Sequence, residues 1–148
     1  MRKPLHAVVL ALALPLFAAN TVEAQCSKTW VRKKCIPKIA PFIHNGQMNS
    51  TVMREGQSAD LSLTVYSGQD YRILICHDEV LENVAFKLYD NNKKVIFDSR
   101  DHNDTDVWDF KVKTTMQLRI EVEVGKNEDT TTGITNSGCV SILVGFKQ

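Results

Sequence analysis

From residue 58 onward the apolar side chains fall on every second position. Leu61, Leu63 and Val65 alternate with Ser62 and Thr64, and Ser67-Gly68-Gln69-Asp70 reads as a turn. Tyr71, Ile73 and Ile75 follow with Arg72 between them. Val84, Phe86 and Leu88 then alternate with Lys87 and Tyr89. Asp90-Asn91-Asn92 has hairpin-turn chemistry and leads into Val95-Ile96-Phe97. Trp108, Phe110 and Val112 alternate with Asp109 and Lys111. The longest run is Met116, Leu118, Ile120, Val122 and Val124, with Arg119, Glu121 and Glu123 facing the other way; Val140, Ile142, Val144 and Phe146 close the series. Period-two alternation is the mark of half-buried antiparallel strands, apolar inward and polar outward. With residues 47–53 as an additional strand, the count is about eight, at a spacing that predicts an all-β, antiparallel sandwich or jelly roll in a single domain. Only residues 78–83 could form a helical turn. Residues 125–138, rich in Thr, Asn, Gly and Asp, form the clearest loop.

The N-terminus follows a different rule. Arg2 and Lys3 precede an apolar stretch at 7–19, and Val22-Glu23-Ala24 places a small residue before Gln25. This is the order of a secretory signal peptide, so residues 1–24 are expected to be a leader and the exported chain to begin at Gln25. The stretch is shorter than the about 20 apolar residues of a membrane span, and Gln25 before Cys26 does not fit a lipoprotein signal. Residues 25–46 form an N-terminal arm in which Pro37 and Pro41 argue against a long helix. Residues 47–148 hold the sandwich.

Composition sharpens this picture in two ways. The chain has 148 residues, 43% hydrophobic and 24% charged, which excludes disordered, collagen-like and coiled-coil classes. After residue 24 there are 16 basic and 16 acidic residues, unevenly placed. Lys28, Arg32, Lys33, Lys34 and Lys38 give the arm +5, leaving the remainder at −5. A basic arm on an acidic body is expected to lie on that body. Nucleic acid is not an expected partner of an exported chain whose basic residues lack interleaved aromatics.

Cys26, Cys35, Cys76 and Cys139 all follow the leader. An even count in an exported chain reads as two disulfides, and three pairings are open. The reading favours Cys26–Cys35 within the arm and Cys76–Cys139 between strands. No C-x-x-C supports zinc or a redox thiol.

The segments EGQSADLSLTV (55–65), YRILI (71–75), VAFKLYDNNKKVIFDS (84–99) and MQLRIEVEV (116–124) resemble bacterial pre-peptidase C-terminal domains over about residues 50–146. The resemblance implies a small β-sandwich module of a secreted protein. It departs from the family pattern at Glu82-Asn83, at Asn91-Asn92 and at Thr115-Met116, so calcium ligands known in some members are not carried over to Glu82. The cysteines and the basic arm lie outside the pattern.

The densest candidate site is the segment holding Asp98, Asp101, Asn103, Asp104, Asp106 and Asp109. Calcium takes several oxygen ligands, and these residues could supply them. The spacing is not an EF-hand: Asp101, Asn103 and Thr105 match the first three ligand positions, but Asp106 stands where Gly is needed. The alternative is a solvated acidic loop with Asx turns. Apart from this calcium site no cofactor is expected. His44, His77 and His102 could meet at a zinc site only through the fold. Cys76-His77-Asp78 are neighbours, and neighbours on a strand point to opposite faces. No hydrolase or nucleotide-binding motif is present, and no catalytic residue is assigned. A hidden hydrolase would need a cleft containing two or more of His77, Asp78, His102 and Asp104. Trp30, Trp108, Tyr66, Tyr71 and Tyr89 are either packing aromatics or a sugar-stacking surface. Asn49 and Asn103 begin glycosylation sequons that matter only in a eukaryotic secretory route.

The sequence therefore predicts an exported, non-enzymatic β-sandwich binding or accessory module of the periplasm or cell exterior, with a protein or glycan partner and no membrane span. A secreted inhibitor or accessory chain of a hydrolase is the alternative, with 125–138 as its exposed loop. A calcium-stabilised adhesion module is a further one.

Overall fold

The computed structural model describes residues 26–127 and 133–147. The leader expected at residues 1–24, and the middle of the 125–138 loop, lie outside them.

Nine strands form among the described residues: β1 (Ile43–His44), β2 (Asn49–Arg54), β3 (Ser58–Val65), β4 (Asp70–His77), β5 (Val84–Tyr89), β6 (Val95–Asp98), β7 (Val107–Lys111), β8 (Met116–Val124) and β9 (Ser137–Lys147). All eight strands expected from the alternation are present, and β1 adds a two-residue pairing with β9. One sheet has the order β1-β9-β4-β7, with β2 pairing β9 on the same side as β1; the other has the order β3-β8-β5-β6. Every pairing is antiparallel. The two sheets face each other as a sandwich, and the core between them holds Ile73, Ile75, Phe86, Leu88, Leu118, Ile120, Val122 and Val144.

In β3 and β8 the alternation translates directly into burial. Leu118, Ile120, Val122 and Val124 are buried while Gln117, Arg119, Glu121 and Glu123 are not. The outer face of β8 carries its own polar lattice. Arg119 donates to Glu121 at 2.6 Å and lies 4.0 Å from the centre of the Tyr89 ring, whose hydroxyl donates to Glu121 at 3.2 Å.

β4 and β9 depart from the half-buried expectation. Ile73, Leu74, Ile75 and Cys76 are all buried, as are Val140 through Gly145. The reason is the N-terminal arm, which covers the outer face of this sheet. Lys28–Trp30, Val31–Cys35 and Ile36–Ile39 form three consecutive helical turns of α, π and 3-10 type, where only an irregular arm was expected. Val31, Cys35 and Ile39 recur every four residues and so share one side of the helix. They pack with Phe42 against Leu74, Cys76 and Leu143 in a second core. A Cβ added at Gly145 would stand 2.7 Å from Ile39 Cγ1 and 2.8 Å from Phe42 Cβ, so only glycine lets the arm lie this close to β9. Residues 78–83, the segment that could have formed a helical turn, form only non-helical turns and bends.

The disulfides fasten the same contact. Cys26 pairs with Cys139 and Cys35 with Cys76, which corrects the expected Cys26–Cys35 and Cys76–Cys139 pairing. The short link would have tied the arm to itself. The helical turns instead direct Cys35 inward onto β4. Arg72 adds a polar tie: its guanidinium holds Asp109 of β7 through two 2.7 Å hydrogen bonds and donates to the Ala40 carbonyl at 2.7 Å.

Candidate functional site

At one end of the sandwich the C-terminal end of β4, the 78–83 turns, the residues between β6 and β7 and the turn after β8 surround an open pocket of about 460 Å3. Its polar lining comes from His77, Glu82, Asn83, Arg100, Asp104 and Asp106, over a floor of Leu81, Val84 and Ala85. Leu81, Val84 and Ala85 are buried, so the floor is part of the rigid core.

Local backbone chemistry sets the rim. Asp98 accepts the Arg100 N–H at 3.1 Å and starts the 3-10 turn Ser99–His102, which ends at Asn103 with φ +58°. Asp104 follows with φ +51°, and Asn83 on the facing rim has φ +55°. Asn and Asp tolerate this left-handed region better than other non-glycine residues. The Ser99 hydroxyl, fully buried, accepts the Phe86 N–H at 2.9 Å and anchors the rim to β5. Gly125 lies against Asn83 and donates its N–H to the Asn83 carbonyl at 3.0 Å; a Cβ there would meet Asn83 Cβ at 2.9 Å.

The charges alternate around the rim. Arg100 pairs with Glu123 at 2.6 Å. His77 Nε2 faces Asp106 at 3.6 Å, too long for a direct hydrogen bond, and His77 Nδ1 lies 3.1 Å from the Asp78 carbonyl. The Asp106 carboxylate holds the His77 pKa above its ordinary value, against the opposing effects of burial and of Lys38. Among the described residues, the pocket lining carries no hydroxyl, no thiol and no aromatic ring besides the imidazole.

The fold thus gathers His77, Asp104 and Asp106 but disperses the other sequence candidates. Asp78 turns away and accepts the Cys139 N–H at 2.7 Å. The His102 ring stacks on Phe97 with centroids 4.8 Å apart. His44 is bound to the Gln47 carbonyl on β1. Of the acidic segment, Asp98 is a helix cap, Asp101 is exposed, and Asp109 stands on β7 in its pair with Arg72. Among the described residues, no three His, Cys, Asp or Glu side chains are placed to hold a metal ion together. Trp108 stacks on Phe97 at 4.1 Å and Tyr71 is buried, whereas Tyr66 is exposed. The Asn49 side-chain nitrogen is buried, so this sequon is closed to a glycan. Glu82, Asn83 and Arg100 were missed as site residues. Their only sequence signal is the Asn-rich turn chemistry on either side of a strand.

All four cysteines are disulfide-bonded, the state of thiols in an oxidising compartment. The chain is an exported protein, and among the described residues no helix is long and apolar enough to cross a membrane. No known protein family matches the sequence, and no curated protein does so. Among solved structures, the chain is similar to PliG of Aeromonas hydrophila, a periplasmic lysozyme inhibitor of g-type lysozyme. The TM-score is 0.49 with 13% identity, covering 72% of this chain and 89% of that one. It is also similar to PliG of Salmonella Typhimurium, another periplasmic inhibitor of g-type lysozyme, with TM-score 0.40, 12% identity, and coverage of 68% and 86%. Both likenesses concern strand arrangement and are too distant to carry a residue of either protein's site onto this chain.

Proposed function

We propose that this chain is an exported, non-enzymatic binding module whose partner is a protein, engaged through the pocket between the 78–83 and 99–106 rims. The observation that carries the reading is the rim itself. Asn83 and Asp104, both in the left-handed region that Asn and Asp adopt more readily than other non-glycine residues, shape opposite sides of one pocket, and such sparsely populated backbone conformations cluster at binding surfaces. The rim rests on buried core residues and a buried serine, so the binding surface is preorganised. Its mixed charge, with Glu82, Asp104 and Asp106 beside His77 and Arg100, suits a partner that presents both signs, as protein surfaces do. His77 and Asp104 share the pocket as a hydrolase would require, so the test below also reads turnover by the chain itself.

Inhibition of a secreted hydrolase is the form of this reading to test first. The purified exported protein is titrated against a panel of secreted hydrolases that includes g-type lysozyme, with binding and residual activity measured together. At least one enzyme is expected to bind, and Glu82→Arg, at an exposed rim position with ordinary backbone geometry, is expected to weaken that complex by about tenfold or more, as charge reversal in an interface does, without lowering the melting temperature. Equal binding by wild type and variant would move the interface elsewhere. Substrate turnover by the chain alone, lost in His77→Ala, would replace the reading with an enzymatic one.

A further inference from the structure

The basic arm was expected to be drawn onto the body by its charge. It does lie on the body, but through Val31, Cys35, Ile39 and Phe42, and its charges point away. Lys28, Arg32, Lys33, Lys34 and Lys38 are all exposed, and among the described residues none of them forms an ion pair. Five like charges within eleven residues repel one another. Here two disulfides and a second core hold them in one rigid array, so the repulsion is retained until an anion relieves it.

One side of this array is concave. Trp30, Lys34 and Lys38 recur every four residues and line a cleft of about 400 Å3, whose other wall runs from Cys76 and His77 at the end of β4 through Asp78 and Glu79 to Val80. The volume lies within the about 300–1,000 Å3 range of small-ligand sites. His77 separates this cleft from the mixed-charge pocket, since it lines both. Asp78 is engaged by the Cys139 N–H. Glu79 is exposed and leaves Lys34 and Lys38 without a salt bridge.

We propose that the cleft lined by Trp30, Lys34 and Lys38, with the basic array around it, binds an anionic polysaccharide carrying carboxylate or sulfate groups. The indole offers a flat apolar face for a sugar ring. The lysines Lys34 and Lys38 supply point charges for its acidic substituents, while Lys28, Arg32 and Lys33 extend the positive surface along neighbouring units. A lipid surface fits less well: residues 28–39 turn their apolar side into the protein, and Val80, the exposed hydrophobic side chain of the cleft wall, stands beside the carboxylates of Asp78 and Glu79. A polymer of repeated rings matches both the single indole-walled cleft and the array that continues past it. This site is distinct from the protein-binding pocket proposed above and stands or falls separately from it.

The test measures affinity of the purified exported protein for polygalacturonate and for heparin, with neutral dextran and anionic phospholipid vesicles in parallel, across a salt series. At least one polyanion is expected to bind, dextran is not, and the affinity should fall steeply with salt. Lys34→Gln with Lys38→Gln should weaken binding about tenfold. Lys93→Gln with Lys94→Gln, an equal loss of charge on the exposed β5–β6 turn, should change it less than about twofold. All four side chains are exposed, so both variants should melt as wild type does; if the first does not, Lys34→Gln alone decides. Binding to neither polyanion overturns the proposal. So do equal losses in the two double variants, affinity insensitive to salt, or binding confined to the vesicles.

Discussion

His77 shows how one residue's behaviour is set by neighbours distant in sequence. It ends β4, and Asp106 reaches it because Ile75 on the same strand donates its N–H to the Asp106 carbonyl at 2.8 Å. That contact raises the pKa of His77. A group whose pKa is raised by folding contributes stability below its unfolded pKa and loses it as the pH rises through the folded value. Stability is therefore expected to decline as pH climbs from about 6.5, the ordinary histidine value, through the elevated one, and to level off above it. Asp106→Asn should return the His77 titration, followed by NMR, toward the ordinary value and flatten that part of the stability profile. An unchanged titration would show that Asp106 does not set it. The sequence could name His77, Asp104 and Asp106 as polar residues near strand ends. It could not join them, because their meeting depends on β4 pairing with β7, a choice made by the whole sheet.

The strands were legible because β3, β5 and β8 each bury one face against one core, and the period of two survives intact. The arm was not legible for the opposite reason. Its apolar side has only three members, Val31, Cys35 and Ile39, in a segment that also contains Pro37 and changes helix type twice. Their four-residue spacing was nonetheless present, as was the unbroken apolar run Ile73-Leu74-Ile75-Cys76, a sign that β4 would be covered on both faces. Reading the two together would have placed the arm on the sheet and Cys35 beside Cys76. The links close loops with sequence separations of 41 and 113 residues. Each alone is worth about 4 to 5 kcal/mol in the chain-entropy relation, and the two overlap and do not simply add. Replacing Cys35 and Cys76 together by serine is expected to lower stability by about 2–5 kcal/mol. Hydrogen exchange should speed up in residues 28–39 well before it does in β8, and uniform acceleration across both would refute the arm as a separately held layer.

Across the whole molecule, charge is sorted by layer. The outer face of the β3-β8-β5-β6 sheet carries paired charges, with Lys87 between Asp98 and Glu123 and Arg119 on Glu121. The arm on the opposite side carries charges that form no ion pair among the described residues. Three carboxylates of the acidic segment already have occupations, Asp98 as a helix cap, Asp106 beside His77 and Asp109 on Arg72. Thermal unfolding is accordingly expected to be the same in EDTA and in a calcium series. A saturable rise in melting temperature with calcium would instead mean that Asp98, Asp101 and Asp104 rearrange around the ion. The disulfides carry one more consequence. Both run from the arm to the sheet, and neither lies within the arm or within the sandwich. In a reducing cytosol neither bond persists, and a newly made chain would hold its arm only through the second core, the β1–β9 pairing and the Arg72 tie. The wall bearing Trp30, Lys34 and Lys38 is covalently fastened to the sheet only by oxidation. Before oxidation the polycationic cleft would thus be less firmly built among the cell's own anionic polymers, and disulfide formation outside the cytosol is the step that completes it.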